Sequence, residues 1–549
     1  MVYRLAACSL LVFALGSQAA ALSAPTVTLD AATVIGKTNG SVTSFLGIPF
    51  AEPPVGDLRL RLPKAITGYN GTINATVPAT QCPQLVPPLR SDLPSEIAQD
   101  MLAYFAADFL TTDAPQGENC LSISVQLPAG TKPGAKLPVL AFIFGGGFTF
   151  GSTAQSPGDA LIRRSIEMDQ PIIYVNMNYR YAAAFGFLGG KEVKDAGVGN
   201  LGLHDQRTAL RWIHKYISAF GGDPNKVAIW GTSAGSISVA LQMITNGGDN
   251  EGLFRAAIMN SGSAPPTGDI ELVQSAYDTV VEHTGCADSD DTLECLREVP
   301  MDTLLAASAN VPNLFEYPGL ATAWAPRADG IFLEAPPQHS VLAGTVSKVP
   351  FLIGGCEDEG TIFATGSFNV TTEKEFRGFV QQHFFSDTPS ALLAPLFELY
   401  PNVPWLGSPF GTGGANELAP QFKRMSALQG DIVFQAPRRF FLDQRSLEQP
   451  AWTWINQRGA AKGLGFPHGS DFVPLLMQGN DLADYVIQFT ATLDPNGGSN
   501  RTIHWPRYDP LAGQVLTLVE GDEPLKIERD TARLGAIAGL TAYSIAHPF

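Results

Sequence analysis

The sequence predicts an α/β fold built on a mostly parallel central sheet covered by helices, and two patterns carry that prediction. Between about residues 135 and 260, apolar runs, glycine loops and helical segments alternate: KLPVLAFIF then GGGF, PIIYVNMNYR, the amphipathic ALRWIHKYISAF, and VAIW then GTSAG. Short apolar strands alternating with helices belong to a sheet buried on both faces. Similar runs recur at AAIMNSG near 256, VPFLIGG near 349 and AWTWI near 451. The sheet is therefore assembled from the whole chain. No repeat, low-complexity tract or Pro/Ser-rich linker divides it, so residues 23–549 read as a single domain with large insertions.

The chain opens with MVYRLAACSLLVFALGSQAAALSAP: one Arg, an apolar stretch from Leu5 to Leu15, then small residues around Ala19 to Ala24. This is the pattern of a secretory signal ending near residue 22, too short in its apolar part to span a bilayer. No later apolar stretch has the roughly 18 residues a transmembrane helix needs, so the expectation is a secreted, extracellular, soluble protein. The formal net charge of −17 and the absence of a long Lys/Arg cluster argue against nucleic acid as a partner. The acidic excess reads as a solubility feature.

Secretion permits disulfides. Of six cysteines, Cys8 leaves with the signal; local spacing pairs Cys286 with Cys295, leaving Cys82 with Cys120 and Cys356 as an odd, buried thiol. No CxxC spacing occurs, so no metal site is expected. Sequons at Asn39, Asn70, Asn74, Asn369 and Asn500 agree with the secretory route. Between Cys82 and Cys120, Ile97, Met101, Leu102, Tyr104, Phe105 and Phe109 recur near helical spacing, giving that segment an apolar face.

The strand LAFIF runs into Gly145 to Phe148, GGGF. Glycines there let backbone N–H groups approach a reacting carbonyl closely; a plain turn is the bland alternative. Next comes KVAIWGTSAGSISVA, where a strand becomes a helix and Ser233 stands in Gly-x-Ser-x-Gly. That pattern is the nucleophile elbow, a strained turn that exposes the serine hydroxyl. A serine hydroxyl needs a base in hydrogen-bond reach, oriented in turn by a carboxylate.

The base and the acid should follow the serine in the order acid, then His. VPFLIGGCEDEGTIF places Glu357, Asp358 and Glu359 directly after a strand, and the pattern leaves the choice among them open. His383 lies in the amphipathic KEFRGFVQQHFF, where a solvated or packed helix position is the better reading. His468, in the glycine-rich GLGFPHGSDF after AWTWI, suits presentation at the carboxyl edge of a sheet and is the preferred base.

With these residues in hand, the chain resembles the carboxylesterase type-B family of the α/β-hydrolases, most closely the secreted fungal lipases and sterol esterases. The matching stretches are FLGIPFAEPPVGDLRLRLP, ENCLSISV, FIFGGGFTFG, NLGLHDQRTALRWIHKYISAFGGDPNKVAIWGTSAGS, NSGS, EDEGTIF and GFPHGSDF. The resemblance implies an α/β-hydrolase fold with Ser233 as nucleophile, His468 as base, Glu359 as acid, and Gly146, Gly147 and Ala234 as oxyanion donors. It also supports both cysteine pairs, and it implies no cofactor. One departure stands out: many relatives carry Glu immediately before the nucleophile, where this chain has Thr232.

The expected function is hydrolysis of carboxylic esters, foremost lipid esters such as triacylglycerols or sterol esters. The alternative is an esterase for soluble or bulky aromatic esters of the feruloyl type; a remoter one is an inactive adhesion relative, against which all three triad residues are present. In lipase-like relatives the loop closed by Cys82 and Cys120 is a flap over the site, which implies reversible contact with a lipid surface here. The opposing reading is a helix packed permanently on the body. Oligomeric state leaves no mark in the sequence.

Overall fold

The computed structural model describes residues 24–86, 93–99, 101, 114–497 and 503–549. The signal segment with Cys8, the sequon at Asn500, and Leu102, Tyr104, Phe105 and Phe109 of the flap segment lie outside the described residues.

Fourteen strands are assigned among the described residues. A small sheet joins β1 (Thr26–Leu29), β2 (Ala31–Ile35) and β5 (Asn70–Asn74). A large sheet takes β3 (Lys37–Asn39), β4 (Val42–Pro49), β6 (Ser122–Pro128), β7 (Leu137–Ile143), β8 (Ile173–Met177), β9 (Gly222–Thr232) and β10 (Ala256–Asn260). It is completed by β11 (Phe351–Cys356), β12 (Ala451–Gln457), β13 (Gln514–Val519) and β14 (Leu525–Arg529). Its order is β14-β13-β12-β11-β10-β9-β7-β8-β6-β4-β3. From β13 through β8 every pairing is parallel, and the antiparallel pairings are confined to the two flanks. The expected mostly parallel sheet is therefore its centre, with antiparallel edges that short hairpin-like connections can build.

Successive side chains of a strand point to opposite faces, so a strand buried at every position is covered on both. Val139 to Ile143 of β7, and all of β10 and β11, are buried. The helices Ala234–Ile244 and Asp481–Thr492 both pack on β7 and β9. Helix Leu201–Tyr216 turns Leu210, Trp212, Ile213 and Tyr216 inward and Arg211, His214 and Lys215 to solvent, the three-to-four spacing that makes ALRWIHKY amphipathic.

Besides the core on the sheet, a second apolar cluster lies among the segments inserted after β10. It includes Leu314, Phe363, Phe376, Phe422 and Leu428, and it also takes Leu93, Ile97 and Met101 of the 82–120 loop. The disulfides Cys82–Cys120 and Cys286–Cys295 are formed, and Cys356 is a buried free thiol. Among the described residues no helix is long and apolar enough to cross a membrane.

Candidate active site

The parallel register sets the site's location. Strands β7, β9, β11 and β12 run in one direction, so the loops after them emerge at the same edge of the sheet. Those loops carry Gly146 and Gly147, Ser233, Glu359 and His468, respectively. Residues far apart in the chain meet because four parallel strands end together.

Ser233 sits between the last residue of β9 and the first of helix Ala234–Ile244, at φ 54° and ψ −126°. A non-glycine residue reaches that conformation only when its surroundings hold it there. Its flanks leave no room for a side chain: a Cβ on Gly231 would lie 2.2 Å from the Gly235 carbonyl oxygen, and one on Gly235 would lie 2.0 Å from that of Ile143. Glycine is needed at both places so that helix and strand can close on each other.

The Ser233 hydroxyl lies 2.7 Å from His468 Nε2. On the other side of the ring, His468 Nδ1 is hydrogen-bonded to Glu359 Oε2. The second carboxylate oxygen of Glu359 accepts the Cys356 N–H at 2.7 Å, so both oxygens are engaged. Phe363 and Phe434 lie beside the imidazole, with ring centroids at 5.2 and 4.6 Å. His468 and Glu359 are both buried, which shields their interaction from water.

The three neighbouring acids separate by environment. Glu359 meets the histidine, whereas Glu357 is half-buried and its carboxyl is raised by burial and then by the charge of Asp358. Asp358 points the other way: its Oδ1 accepts Ser408 Oγ–H at 2.7 Å and the Phe410 N–H at 2.8 Å, and its Oδ2 accepts the Phe466 N–H at 3.0 Å. Burial raises its carboxyl, and its oxygens are engaged by Ser408, Phe410 and Phe466, whereas Glu359 bonds His468 Nδ1. Asp358 thus ties the loop bearing His468 to a second loop at 408–410.

Asp471 is a residue that sequence reasoning passed over. It is buried, accepts hydrogen bonds from Asn260 Nδ2 at 3.0 Å and Trp454 Nε1 at 2.9 Å, and is raised by burial and by the Glu359 charge. The only signal available was its position three residues after His468 in HGSD, which spacing alone could not distinguish from an exposed turn acid. Cys356 touches this group at 3.4 Å, and burial first, then the charges of Asp471 and Glu359, push its thiol far up. It is an inert thiol. His383 lies on helix Glu373–Phe384 against Tyr317 and Phe379, its imidazole lowered by burial, away from Ser233.

Above Ser233 opens a cavity of about 960 Å³ including the space at its mouth, with Gly146, Gly147, Thr232, Ala234 and His468 at the chemical end. Its other walls are mostly apolar, among them Phe150, Leu314, Phe363, Val433 and Phe434, with Thr267 and Thr322 between them. Gly146 and Gly147 adopt φ of 102° and 60°, and among the described residues neither of their N–H groups has a partner. Ala234 opens its helix, so its N–H is one of the orphan donors every helix start presents. Three free amides around a half-buried hydroxyl can receive negative charge on a carbonyl oxygen. Among the described residues no group of three or more His, Cys, Asp or Glu could hold a metal ion.

The profile described as "Carboxylesterase family" matches residues 23–473. The chain belongs to that family. This carboxylesterase is 43% identical over 500 residues to a secreted triacylglycerol lipase of Gibberella zeae, covering 88% of this chain and 84% of the relative. It is likewise 43% identical over 520 residues to secreted lipase 1 of Botryotinia fuckeliana, covering 90% and 89%. Lipase 4 of Diutina rugosa is 39% identical, with 88% of this chain and 90% of the relative covered. Among solved structures, EstA of Aspergillus niger superposes with a TM-score of 0.80 at 28% identity, over 96% of this chain and 99% of that one. The α/β-hydrolase fold expected from the motifs is the fold of this carboxylesterase, and Thr232 lines its cavity.

Proposed function

We propose that this carboxylesterase is a secreted lipid-ester hydrolase, acting on triacylglycerols or sterol esters through an acyl-enzyme on Ser233. The observation that carries the proposal is the apolar cavity that ends on the Ser233–His468–Glu359 chain of hydrogen bonds. The names of the secreted lipases it resembles across most of its length support the same substrate class and the same secreted location.

In this reading Ser233 Oγ attacks the ester carbonyl carbon while its proton passes to His468 Nε2. The carbonyl oxygen, now negative, is held by the N–H groups of Gly146, Gly147 and Ala234. His468 then protonates the departing alcohol oxygen as the C–O bond breaks. Water, its proton taken by the same His468, attacks the acyl carbon; the bond to Ser233 Oγ then breaks, His468 returns the proton to that oxygen, and the acid is released. Glu359 holds the imidazole in the tautomer with Nδ1–H and stabilises the imidazolium without taking the proton.

The segment between Cys82 and Cys120 acts as a flap in this proposal. Its residues 95–99 are helical, and Leu93, Ile97 and Met101 are buried against the second apolar cluster, so this portion hides apolar surface that a lipid could receive. Residues 23–549 form one catalytic domain. Asn39, Asn70, Asn74 and Asn369 are all exposed, as glycan acceptors must be.

The test compares hydrolysis of triolein and cholesteryl oleate emulsions with that of soluble short-chain and feruloyl esters, using Ser233→Ala as blank. High rates on emulsions are expected; turnover confined to the soluble esters would replace this reading with that of a soluble-ester esterase. A fluorophosphonate probe should label Ser233, and folded protein that resists the probe would instead point to an inactive relative.

A further inference from the structure

Six of the seven tryptophans, Trp212, Trp230, Trp324, Trp452, Trp454 and Trp505, are buried. Trp405 is 66% exposed, and Leu406 beside it is 55% exposed. Both sit in the tight turn Pro404–Leu406. Leu399 and Leu534 add exposed apolar surface nearby: Leu399 and Leu406 line one surface cavity together with Gly535 and Ala536, the residues that follow Leu534, and its two charged lining residues, Arg424 and Arg533, are paired with Glu373 and Asp431. An apolar residue scattered singly on a surface needs no explanation, but a group clustered around an exposed indole does.

Two features give this group a direction. The turn is rooted at the active-site edge: just past Leu406, Ser408 and Phe410 are both hydrogen-bonded to the Asp358 carboxylate, next in chain to Glu359. The same insertion continues to Leu418, which approaches Gly463 together with Ile97 of the flap segment. The second feature is charge. In a chain of net charge −17, residues 399–416, LYPNVPWLGSPFGTGGAN, contain no ionisable acid or base except the buried Tyr400 phenol. A charge-free apolar projection matches an electrically neutral lipid surface, into which it can insert without dehydrating a charge. The indole, apolar with one N–H, suits the boundary between water and acyl chains.

We infer that the Pro404–Leu406 turn is an interfacial anchor, separate from the flap, that seats the enzyme on a neutral lipid surface with its active-site edge toward the lipid. The inference rests on the lipid-ester reading above. Among the described tryptophans only Trp405 changes surroundings on docking, so binding to phosphatidylcholine vesicles should shift the protein's fluorescence to the blue, and Trp405→Phe should abolish the shift. A Trp405→Ser/Leu406→Ser double variant should bind these vesicles roughly tenfold or more weakly and lose emulsion turnover in proportion, while short-chain soluble esters are cleaved at the unaltered rate.

Vesicle binding by the double variant equal to wild type, a shift that persists in Trp405→Phe, or absence of vesicle binding by wild type would each overturn the anchor. So would a monomer–dimer equilibrium, measured by sedimentation without lipid, that the double variant abolishes, because the occupant is then a second copy. Vesicle binding is read without turnover, so an enzyme that binds through Trp405 but hydrolyses no lipid ester would sink the lipid-ester reading and leave the anchor standing.

Discussion

Ser233 Oγ and His468 Nε2 lie 2.7 Å apart although 235 positions separate them in the chain. The contact exists because β9 and β12 run parallel in one sheet, with β10 and β11 between them, and their following loops emerge at one edge. The proposed chemistry rests on it. Ser233→Ala and His468→Ala should each lower kcat on a soluble ester by on the order of 10⁶, and the double variant by little more, because residues that act as a unit lose their effect together. Additive losses in the double variant would break that unit.

Glu359→Gln should keep the fold yet lower kcat by about 10⁴ with little change in KM, because the amide favours the wrong imidazole tautomer. Steady-state kinetics beside a thermal unfolding curve separate this outcome from simple destabilisation.

Asp358 holds the loop two residues before the histidine through the Phe466 N–H. Asp358→Asn turns one acceptor oxygen into an amide N–H₂ facing donors, and it should lower kcat roughly 10- to 100-fold, the scale of a misplaced base. Glu357→Gln, in the half-buried neighbour, should change kcat less than about twofold, as substitutions outside such networks do. Equal losses in both variants would mean the two acids do not divide as their contacts indicate.

Two glycines predict opposite signs. A methyl group on Gly235 would meet the Ile143 carbonyl at 2.0 Å, so Gly235→Ala should destabilise the protein by on the order of 3 kcal/mol. Gly378 lies exposed inside helix Glu373–Phe384 with nothing within 4 Å of a Cβ, so Gly378→Ala should stabilise by about 0.5–1 kcal/mol. Urea unfolding of the two variants measures both.

Glu375 closes a capping box with Thr372, and its carboxylate accepts N–H groups from Thr371 and Thr372 at 2.8 and 2.9 Å. The Thr371 hydrogen bond leads the causes that hold its carboxyl down at about 2. A depressed carboxyl stabilises the fold above its ordinary value of 4.5 and loses that contribution as the pH falls toward about 2. The gap in melting temperature between wild type and Glu375→Gln should therefore be widest near neutrality and shrink steadily below pH 4.5. A gap independent of pH would mean that the carboxylate charge has no part in the cap.

Local chemistry wrote much of this protein into its sequence. The elbow needs glycine at 231 and 235 because no Cβ fits, and a small-residue pattern forced by sterics survives as a readable motif. The apolar runs of β7, β10 and β11 are continuous because both faces are buried, so they read as parallel strands directly. The edges did not, since β3, β4 and β14 are short or mixed in character and take their direction from their neighbours. Choosing Glu359 among three adjacent acids also lay beyond residue pattern. Family resemblance pointed to it, but the different contacts of Glu357, Asp358 and Glu359 exist only once the Phe466–His468 loop folds over them. Asp471 and the exposed Trp405 belong to the same class: a carboxyl becomes a buried acceptor, and an indole a surface projection, through surroundings supplied by segments remote in the chain. The sequence by itself determined the strand runs, the turn that holds Ser233, and the residue types that meet it, because these depend on neighbours a few positions away. Tertiary structure alone decided which acid faces His468 and which apolar residues stay in water, because burial and hydrogen-bond partners are properties of the folded whole.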